Sequence, residues 1–472
     1  MSRPVGAASR PSELGLMPLE ILAIDTPTLG DRSYVVHDGE VAFVVDPQRD
    51  IDRYLAVLRE TGVHASHVAE THLHNDYLTG GLALSERTGA TYLINAEDQV
   101  AFARTPVRDG DTIEIGSRMR ITAVATPGHT FTHLSYALTD AATGGQIAVF
   151  TGGSLLYGAT GRPDLMGEEN TDTLVRHQHA SAHRLAGMLP DDTGVYPTHG
   201  FGSFCSASQS EATSSTIGQE KRTNPVLTQD EQTYVDALLG GLGAWPAYYV
   251  HMSPRNAAGP TEPDLSPPGR ADITELRRRI EAGEWVVDLR ERTAFATGHA
   301  PGTLNFGIDG SFATYLGWLI PWGRPLTLLG ESAEQVAEAQ RELVRIGIDR
   351  PAAQATGTPA DWTDRDLSSF PVATFADLAQ VRRSRAVVVL DVRRADERAE
   401  GAIAGSVHIP LPELPAQLAD IPTGEVWVHC AAGYRAAVAA SLLDAAGRTP
   451  VAVDDDFQNA AGAGLPLVRP QA

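Results

Sequence analysis

The chain has 472 residues, of which 42% are hydrophobic and 20% are charged, so it is long enough for two to four globular domains. Its formal net charge of −22 argues against binding to nucleic acid or to an anionic membrane surface. No segment approaches the run of about 20 apolar residues that crosses a bilayer, and residues 1–17 lack the apolar core of a signal peptide. The two cysteines, Cys205 and Cys430, exclude a disulfide scaffold and Cys-rich zinc sites. We therefore predict a cytoplasmic protein without nucleic-acid or membrane partners.

Strand and helix patterns alternate in the first block, residues 18–242. Residues 41–47 predict a buried strand that ends in a turn, and residues 51–61 have the apolar spacing of a helix. Residues 68–70 predict a further short strand, and residues 228–239 a closing helix. The block is therefore predicted to be a mixed α/β domain.

Four histidines of this block lie at a predicted strand end or in turn-rich segments. His72 and His74 directly follow a predicted strand, and alternate residues of an extended segment share a face. His129 follows a Pro-Gly pair, and His199 precedes a glycine. Three imidazoles and a carboxylate such as that of Asp76 suit Fe(II), Zn or Mn. The pattern thus predicts a site for a divalent metal.

The remainder of the chain contains an internal repeat. Residues 243–270 are predicted as a linker, because the Pro and Gly content of their second half opposes both helix and strand. Residues 285–290 and 388–393 then present the same strand ending, Asp-x-Arg, each followed by a helix and a second strand. This alternation predicts two small doubly wound parallel sheets, in residues 271–360 and 371–470.

Cys430 lies between a predicted strand, residues 425–429, and a predicted helix, residues 436–446. A cysteine there meets unpaired backbone amides and the positive end of a helix dipole, which stabilise a thiolate or a bound persulfide anion. Gly433 lets the loop curl, and Arg435 adds a positive charge for an anionic donor or acceptor. We therefore predict Cys430 and Arg435 as catalytic. The predicted substrate-binding residues of this loop are Ala431, Ala432, Gly433 and Tyr434.

The middle repeat has no cysteine. After its second predicted strand, residues 325–329, the corresponding loop position is occupied by Gly330, Glu331 and Ser332. A loop without a thiol cannot carry a persulfide, so this copy is predicted to be structural or to provide a docking surface.

Residues 375–467 resemble the rhodanese family. The likeness rests on Asp391, Arg393, Glu397, Gly401, Gly405, His408 and the spacing Cys430-x-x-Gly433-x-Arg435. It implies a sulfurtransferase in which Cys430 takes up sulfane sulfur from thiosulfate or a thiol persulfide and passes it on. Ala402 stands where the family usually has histidine, and residues 454–456 replace a usual glycine pair.

Residues 18–240 resemble the metallo-β-lactamase fold, in particular its persulfide dioxygenase branch. The motifs are His72-x-His74-x-Asp76, Pro127-Gly-His129-Thr130, Thr151-Gly-Gly153 and His199-Gly200. Together with the two repeats, the chain resembles the fused persulfide dioxygenase–sulfurtransferases of bacteria. The resemblance implies an αββα sandwich followed by two rhodanese-like doubly wound α/β domains. It also implies one divalent ion, Fe(II) or Zn, no nucleotide cofactor, and association into a homo-oligomer.

The sequence departs from the dioxygenase pattern at two positions. Tyr77 replaces a histidine of the second metal site, and Gly153 replaces an aspartate that would ligate or bridge metal. Motif matching leaves His72, His74 and His129 for one metal site, with Asp76 and His199 as remnants of a second. A dinuclear centre is therefore not expected. Tyr77 and Cys205 are predicted to contact substrate, with phenolate ligation by Tyr77 as an alternative.

Three interpretations of function follow. The first is a sulfurtransferase that uses a Cys430 persulfide, with an N-terminal domain that oxidises or binds persulfide. Its expected partners are small thiols, persulfides or thiosulfate. The second is a metal-dependent hydrolase of thioester-type bonds. The third treats the N-terminal domain as a metal-free pseudoenzyme that scaffolds the sulfurtransferase.

Overall fold

The computed structural model describes residues 19–210 and 212–469. They form a β-sandwich domain followed by two smaller α/β domains. Within these residues, no helix has both the length and the apolar character needed to cross a membrane.

The N-terminal domain consists of two six-stranded sheets, each of which keeps its strands in chain order. The first sheet contains β1 (Glu20–Thr26), β2 (Asp31–His37), β3 (Val41–Val45), β4 (His64–Ala69), β5 (Thr91–Asn95) and β6 (Thr105–Val107). The second contains β7 (Thr112–Ile115), β8 (Met119–Ala125), β9 (Leu134–Asp140), β10 (Gly145–Gly152), β11 (Gly194–Pro197) and β12 (Ser215–Thr216). The helices are α1 (Asp52–Thr61), α2 (Gly81–Thr88), α3 (Glu168–Met188), α4 (Ile217–Thr223), α5 (Pro225–Thr228) and α6 (Glu231–Gly241).

The two sheets pack face to face, with helices on both outer sides. Phe43 of the first sheet meets Tyr136 and Phe150 of the second, at ring-centroid distances of 5.9 and 6.3 Å. On the outer faces, α1 and α2 cover the first sheet, and α3 to α6 cover the second. This arrangement confirms the αββα sandwich that the resemblance implied.

The middle and last domains each contain a parallel sheet. The middle domain comprises α8 (Ile273–Glu281), β13 (Trp285–Asp288), α9 (Arg292–Thr297), β14 (Leu304–Asn305), α10 (Phe312–Leu319), β15 (Leu326–Gly330), α11 (Ala333–Arg345) and β16 (Ala353–Thr356). The last comprises β17 (Val372–Ala373), α12 (Phe375–Ser384), β18 (Val388–Asp391), α13 (Ala395–Glu400), β19 (Ala402–Ile403), β20 (Val407–His408), α14 (Leu414–Gln417), β21 (Glu425–His429), α15 (Tyr434–Ala445), β22 (Thr449–Val453), α16 (Asn459–Gly462) and β23 (Leu467–Val468). The strand orders are β14-β13-β15-β16 and β17-β22-β21-β18-β20, and β19 pairs with β23. The prediction of two doubly wound α/β domains is confirmed.

The predicted linker contains a helix, α7 (Tyr249–Ala258), which precedes α8 in the chain and includes Pro254. The composition of this segment predicted neither helix nor strand, so the structure differs there. Tertiary contacts explain the difference. Tyr249 and Met252 are buried in an interdomain apolar cluster, and the Asn256 amide donates hydrogen bonds of 2.9 Å to the carbonyls of His74 and Tyr77. These contacts outweigh the cost of an internal proline. The domain boundaries themselves remain a prediction.

One apolar cluster joins all three domains. It contains Tyr77 and Cys205 of the first domain, Leu316 of the middle domain, and Val428 and Cys430 of the last. Buried ion pairs reinforce it, because Arg345 lies 2.7 Å from Asp50 in the first domain. The domains therefore share an extensive interface, at which both candidate sites lie.

Candidate functional site

The Cys430 loop connects β21 to α15 at the carboxyl end of the central strand of the last sheet. Val426 and Val428 are fully buried and anchor the strand that ends there. The carboxyl edge of a parallel sheet is where α/β folds place ligands. The predicted position of Cys430, between a strand and the first turn of a helix, is therefore the position in the structure.

The Cys430 sulfur accepts a hydrogen bond from a backbone amide of its own loop. The Gly433 N–H lies 3.2 Å from Cys430 Sγ, and Gly433 has a φ of +93°, which turns its amide inward. Cys430 is 2% exposed, so only a small donor or acceptor can reach it without movement of its surroundings. The amide provides the local positive potential that stabilises an anionic sulfur.

Arg435 lies behind this loop and is held by a carboxylate. Its Nη1 and Nη2 atoms donate to the two oxygens of Glu397 over 2.6 and 2.7 Å. Burial opposes both charges, yet each partner stabilises the other, so the pKa of Glu397 is lowered and that of Arg435 is raised. The positive charge predicted at this position is thus present, but it is oriented and partly neutralised by Glu397.

The cysteine-free middle domain covers the loop. The Tyr434 hydroxyl donates to the Gly307 carbonyl over 3.0 Å, and the Tyr315 ring lies 5.9 Å from the Tyr434 ring. Arg292 of the middle domain pairs with Asp454 of the last domain over 3.0 Å. The middle repeat therefore forms part of the wall around Cys430.

The histidines of the first domain converge at one edge of the sandwich. His72 and His74 follow β4, His129 lies between β8 and β9, and His199 follows β11. All four are buried, with exposures of 1% or less. Strand ends of both sheets meet at this edge, which brings together residues distant in the sequence.

In three of these histidines Nδ1 is held by a neighbouring oxygen. Nδ1 is here called the outer nitrogen of these rings, and Nε2 the inner nitrogen. Nδ1 of His72 lies 2.9 Å from Thr71 Oγ1, and Nδ1 of His129 lies 2.8 Å from the Arg162 carbonyl. Nδ1 of His199 lies 2.9 Å from Asp31 and 3.1 Å from Asp76. Such contacts fix the orientation of metal-binding imidazoles.

The inner nitrogens of these three rings are available to a metal. Nε2 of His72 and Nε2 of His199 are 3.4 Å apart, and among the described residues nothing hydrogen-bonds the buried Nε2 of His129. Burial, followed by the charge of His199, lowers the pKa of His129 to about 3. A neutral imidazole with an unused buried nitrogen fits a metal ligand.

His74 is oriented differently. Its Nε2 lies 3.0 Å from the Tyr77 hydroxyl, 3.3 Å from Asp46 and 3.4 Å from Glu70, whereas its buried Nδ1 has no hydrogen-bond partner within the described chain. Although burial works in the opposite direction, the two carboxylates raise the pKa of His74 to about 9. The Tyr77 hydroxyl is thus directed at His74 and the Asp46 carbonyl, and any contact of Tyr77 with substrate remains a prediction.

Known proteins match both ends of this chain. The rhodanese-like domain family matches residues 374–460. The human mitochondrial persulfide dioxygenase ETHE1 is 30% identical over 219 residues, covering 46% of this chain and 76% of that protein. The chain belongs to the fused metallo-β-lactamase-fold persulfide dioxygenase–rhodanese family.

Other known proteins are also similar to this chain. Hydroxyacylglutathione hydrolase of Cereibacter sphaeroides is 30% identical over 238 residues, covering 46% of this chain and 89% of that protein. The crystal structure of a metallo-β-lactamase from Staphylococcus aureus superposes with a TM-score of 0.64 at 26% identity, covering 72% of this chain and 99% of that one. The coverage of 72% extends the structural likeness beyond the sandwich domain. The matched domains place this family member in sulfur metabolism.

The two departures from the dioxygenase pattern have structural consequences. Any side chain at position 153 would overlap the His129 ring, and the Gly153 amide instead donates to His133 Nε2 over 3.0 Å. A carboxylate at position 153 would therefore require the His129 ring to move. The Tyr77 hydroxyl contacts His74 Nε2 and the Asp46 carbonyl.

The site still fits a divalent ion. Among residues 19–210 and 212–469, four groups bring histidine, cysteine or carboxylate ligand atoms within 4.8 Å of one another. They are His72–His74–His199, His129–His199–Cys205, Asp31–Asp76–His199 and Asp46–Glu70–His74. His199 belongs to three of the four, which makes it the centre of the cluster.

Sequence reasoning assigned no site role to several residues that shape the two sites. Asp31, Asp46 and Arg162 orient the histidines, and Glu397 orients Arg435. Asp46 is buried and has a positive φ of 51°, a conformation that non-glycine residues rarely adopt. A carboxylate that ends an apolar strand, as Asp46 ends β3, was the one signal in the sequence. Asp31 had none, because only the fold brings it to His199.

We predict that Gly433→Ala impairs sulfur transfer. A Cβ at this position would overlap the Asp454 carboxylate, and its φ of +93° strains any other residue. The amide would turn away from Cys430, with a cost of about 1–3 kcal/mol and a loss of sulfur transfer of about tenfold or more. The matched control is Gly447→Ala, because Gly447 also has a positive φ of 73° but its Cβ would meet nothing within 4 Å. Equal thiosulfate:cyanide transfer rates for the two variants would contradict the prediction.

Proposed function

We propose that this chain transfers sulfane sulfur through a persulfide on Cys430. The observation that carries the proposal is the hydrogen bond of 3.2 Å from the Gly433 amide to Cys430 Sγ. An amide in this position stabilises the thiolate before transfer and the persulfide anion after it. The rhodanese-like match over residues 374–460 supports the same chemistry.

The reaction consists of two balanced substitutions. The Cys430 thiolate attacks the outer sulfur of thiosulfate or of a thiol persulfide, the donor S–S bond breaks, and sulfite or a thiolate leaves with the electron pair. An acceptor thiolate then attacks the outer sulfur of the Cys430 persulfide, and the new S–S bond of Cys430 breaks. Neither step needs an external oxidant or reductant. The partners are therefore small thiols, persulfides or thiosulfate, as the small exposure of Cys430 requires.

For the N-terminal domain, we propose that one divalent ion, Fe(II) or Zn, is held by the buried histidines and that the domain binds or oxidises a persulfide. When bound, the ion supplies Lewis acidity to a coordinated ligand. The surrounding residues exclude water, and Asp31 and Asp76 hold the proton on Nδ1 of His199, which keeps Nε2 directed inward. The free, buried Nε2 of His129 favours this proposal over a metal-free scaffold.

A hydrolase acting on thioester-type bonds is the second candidate, and the similarity to hydroxyacylglutathione hydrolase favours it. Oxygen consumption with glutathione persulfide distinguishes the two candidates, because a thioester hydrolase consumes no oxygen. Metal content measured on the same sample distinguishes both of them from a metal-free scaffold.

The test of the main proposal is intact-mass spectrometry after incubation with thiosulfate. We expect the protein to gain the mass of one sulfur atom, to lose it on addition of cyanide, and to carry it on the peptide that contains Cys430. The peptide that contains Cys205 serves as the internal control, because burial raises the pKa of the Cys205 thiol. An adduct confined to Cys205, or no adduct at all, would refute the proposal.

A further inference from the structure

Cys205 lies beside the inner nitrogens of the histidine cluster. It follows His199 on the same loop and is fully buried. Its Sγ and one ring nitrogen each of His129 and His199 lie within 4.8 Å of one another. The Nε2 of His129 has no hydrogen-bond partner in the described chain, so a histidine with an unused buried nitrogen belongs to the same group as the thiol.

A buried divalent ion at this place needs an anionic ligand. Three imidazoles are neutral, and an uncompensated double charge is costly away from water. Position 153 cannot supply a carboxylate, because its side chain would overlap His129. Asp31 and Asp76 lie on the outer nitrogen of His199, and Asp46 and Glu70 on the outer side of His74. The Cys205 thiol can become an anion bound to the ion, and its Sγ lies within 4.8 Å of ring nitrogens of His129 and His199.

The spacing of the His72 and His199 nitrogens matches two ligands of one tetrahedral ion. Two nitrogens bound to zinc at about 2.1 Å with a tetrahedral angle lie about 3.4 Å apart. The Nε2 atoms of His72 and His199 are separated by 3.4 Å. A sulfur at about 2.3 Å from the same ion lies about 3.6 Å from each nitrogen. In the His129–His199–Cys205 group every pair of ligand atoms lies within 4.8 Å.

One residue positions both His129 and Cys205. The Arg162 carbonyl lies 2.8 Å from His129 Nδ1, and the Arg162 amide donates to the Cys205 carbonyl over 2.8 Å. The Arg162 guanidinium is itself held by Asp164 through two hydrogen bonds of 2.7 Å. The backbone of Arg162 thus holds both the Cys205 loop and the His129 imidazole in place, as is common for residues around metal ligands.

We infer that Cys205 is a metal ligand, and that its thiolate supplies the anionic ligand of a site with His129 and His199. His72, whose Nε2 lies 3.4 Å from that of His199, adds a third imidazole. Thiolate and imidazole donors together favour zinc among the common divalent ions. This ligand set differs from the three histidines His72, His74 and His129 implied by the family motifs. The inference rests on the divalent ion proposed for the first domain, but it does not depend on the proposed sulfur transfer, because Cys430 belongs to another domain.

The test uses the full-length Cys430→Ser variant, in which Cys205 is the only thiol. The protein is freed of metal and loaded with one equivalent of Co²⁺ or Zn²⁺. We expect a thiolate-to-cobalt charge-transfer band in the near ultraviolet, and a sulfur shell at about 2.3 Å in zinc X-ray absorption. Cys205→Ser should lose both signals and should weaken zinc binding by about tenfold or more.

The wild-type protein is the matched control, since its additional thiol, Cys430, should change neither signal. Binding of cobalt or zinc without a sulfur signal would overturn the inference, and so would failure of the folded protein to bind either metal. If Cys205→Ser does not fold, the absorption spectrum of the Cys430→Ser variant decides the question alone. Thiosulfate loading of wild-type Cys430 is measured in parallel, so failure of the metal site and failure of the proposed sulfur transfer are distinguished.

Discussion

Replacement of Cys430 by serine is expected to abolish sulfur transfer. A serine hydroxyl at the same position remains protonated and cannot form a persulfide, whereas the Gly433 amide can still donate to its oxygen. Removal of a nucleophile on which a covalent intermediate depends lowers kcat by about 10³-fold or more. The measurement is the initial rate of thiosulfate:cyanide transfer for the purified full-length variant.

The control for Cys430→Ser is the stability of the same variant. Cysteine and serine have similar shapes, so the unfolding temperature should change little, and the metal content of the N-terminal domain should be unchanged. If transfer persists at a sizeable fraction of the wild-type rate, Cys430 is not the nucleophile. Cys205 would then be the remaining thiol to consider, and the sulfur chemistry would belong to the first domain.

Replacement of Glu397 by glutamine is expected to destabilise the last domain. The Arg435 guanidinium, with a side-chain exposure of 10%, would lose its anionic partner and keep a buried charge. Removal of one partner of a buried ion pair lowers the free energy of unfolding by about 3 kcal/mol. Glu397 also accepts a hydrogen bond of 3.0 Å from the Arg394 amide at the start of α13, which glutamine can preserve only in part. Hydrogen exchange measures the effect locally, and a cost of 3 kcal/mol corresponds to about 100-fold faster exchange of the α15 amides.

Glu425→Gln is the matched control for Glu397→Gln. Glu425 also forms two hydrogen bonds with an arginine, Arg385, over 2.8 and 2.9 Å, but the Arg385 side chain is 55% exposed. Exposed pairs contribute about 0.5 kcal/mol or less, so exchange in α15 should stay close to wild type. A similar response of the two variants would show that burial does not strengthen the Arg435–Glu397 pair.

The regular elements could be predicted because their signals are local. The strand predicted over residues 425–429 has the same bounds as β21, and the helix predicted from residue 436 begins at Tyr434, only two residues earlier. A run of alternating or continuous apolar residues specifies such elements without reference to the rest of the chain. Helix α7 was not predicted by such a local pattern. Its proline-rich composition predicted a linker, whereas contacts made by Asn256 with a loop about 180 residues earlier stabilise a helix.

The sequence by itself determined the nucleophile loop and the two departures from the metal motifs. Cys430, Gly433 and Arg435 lie within six consecutive residues, so the chemistry of that loop depends on short-range geometry. Only the tertiary structure decided that Cys205 lies within 4.8 Å of ring nitrogens of His129 and His199. It also decided that Tyr315 of the middle domain lies against the Cys430 loop. The physical reason is that these contacts join segments that are far apart in the chain, and their distances follow from how sheets and domains pack, which no local pattern encodes.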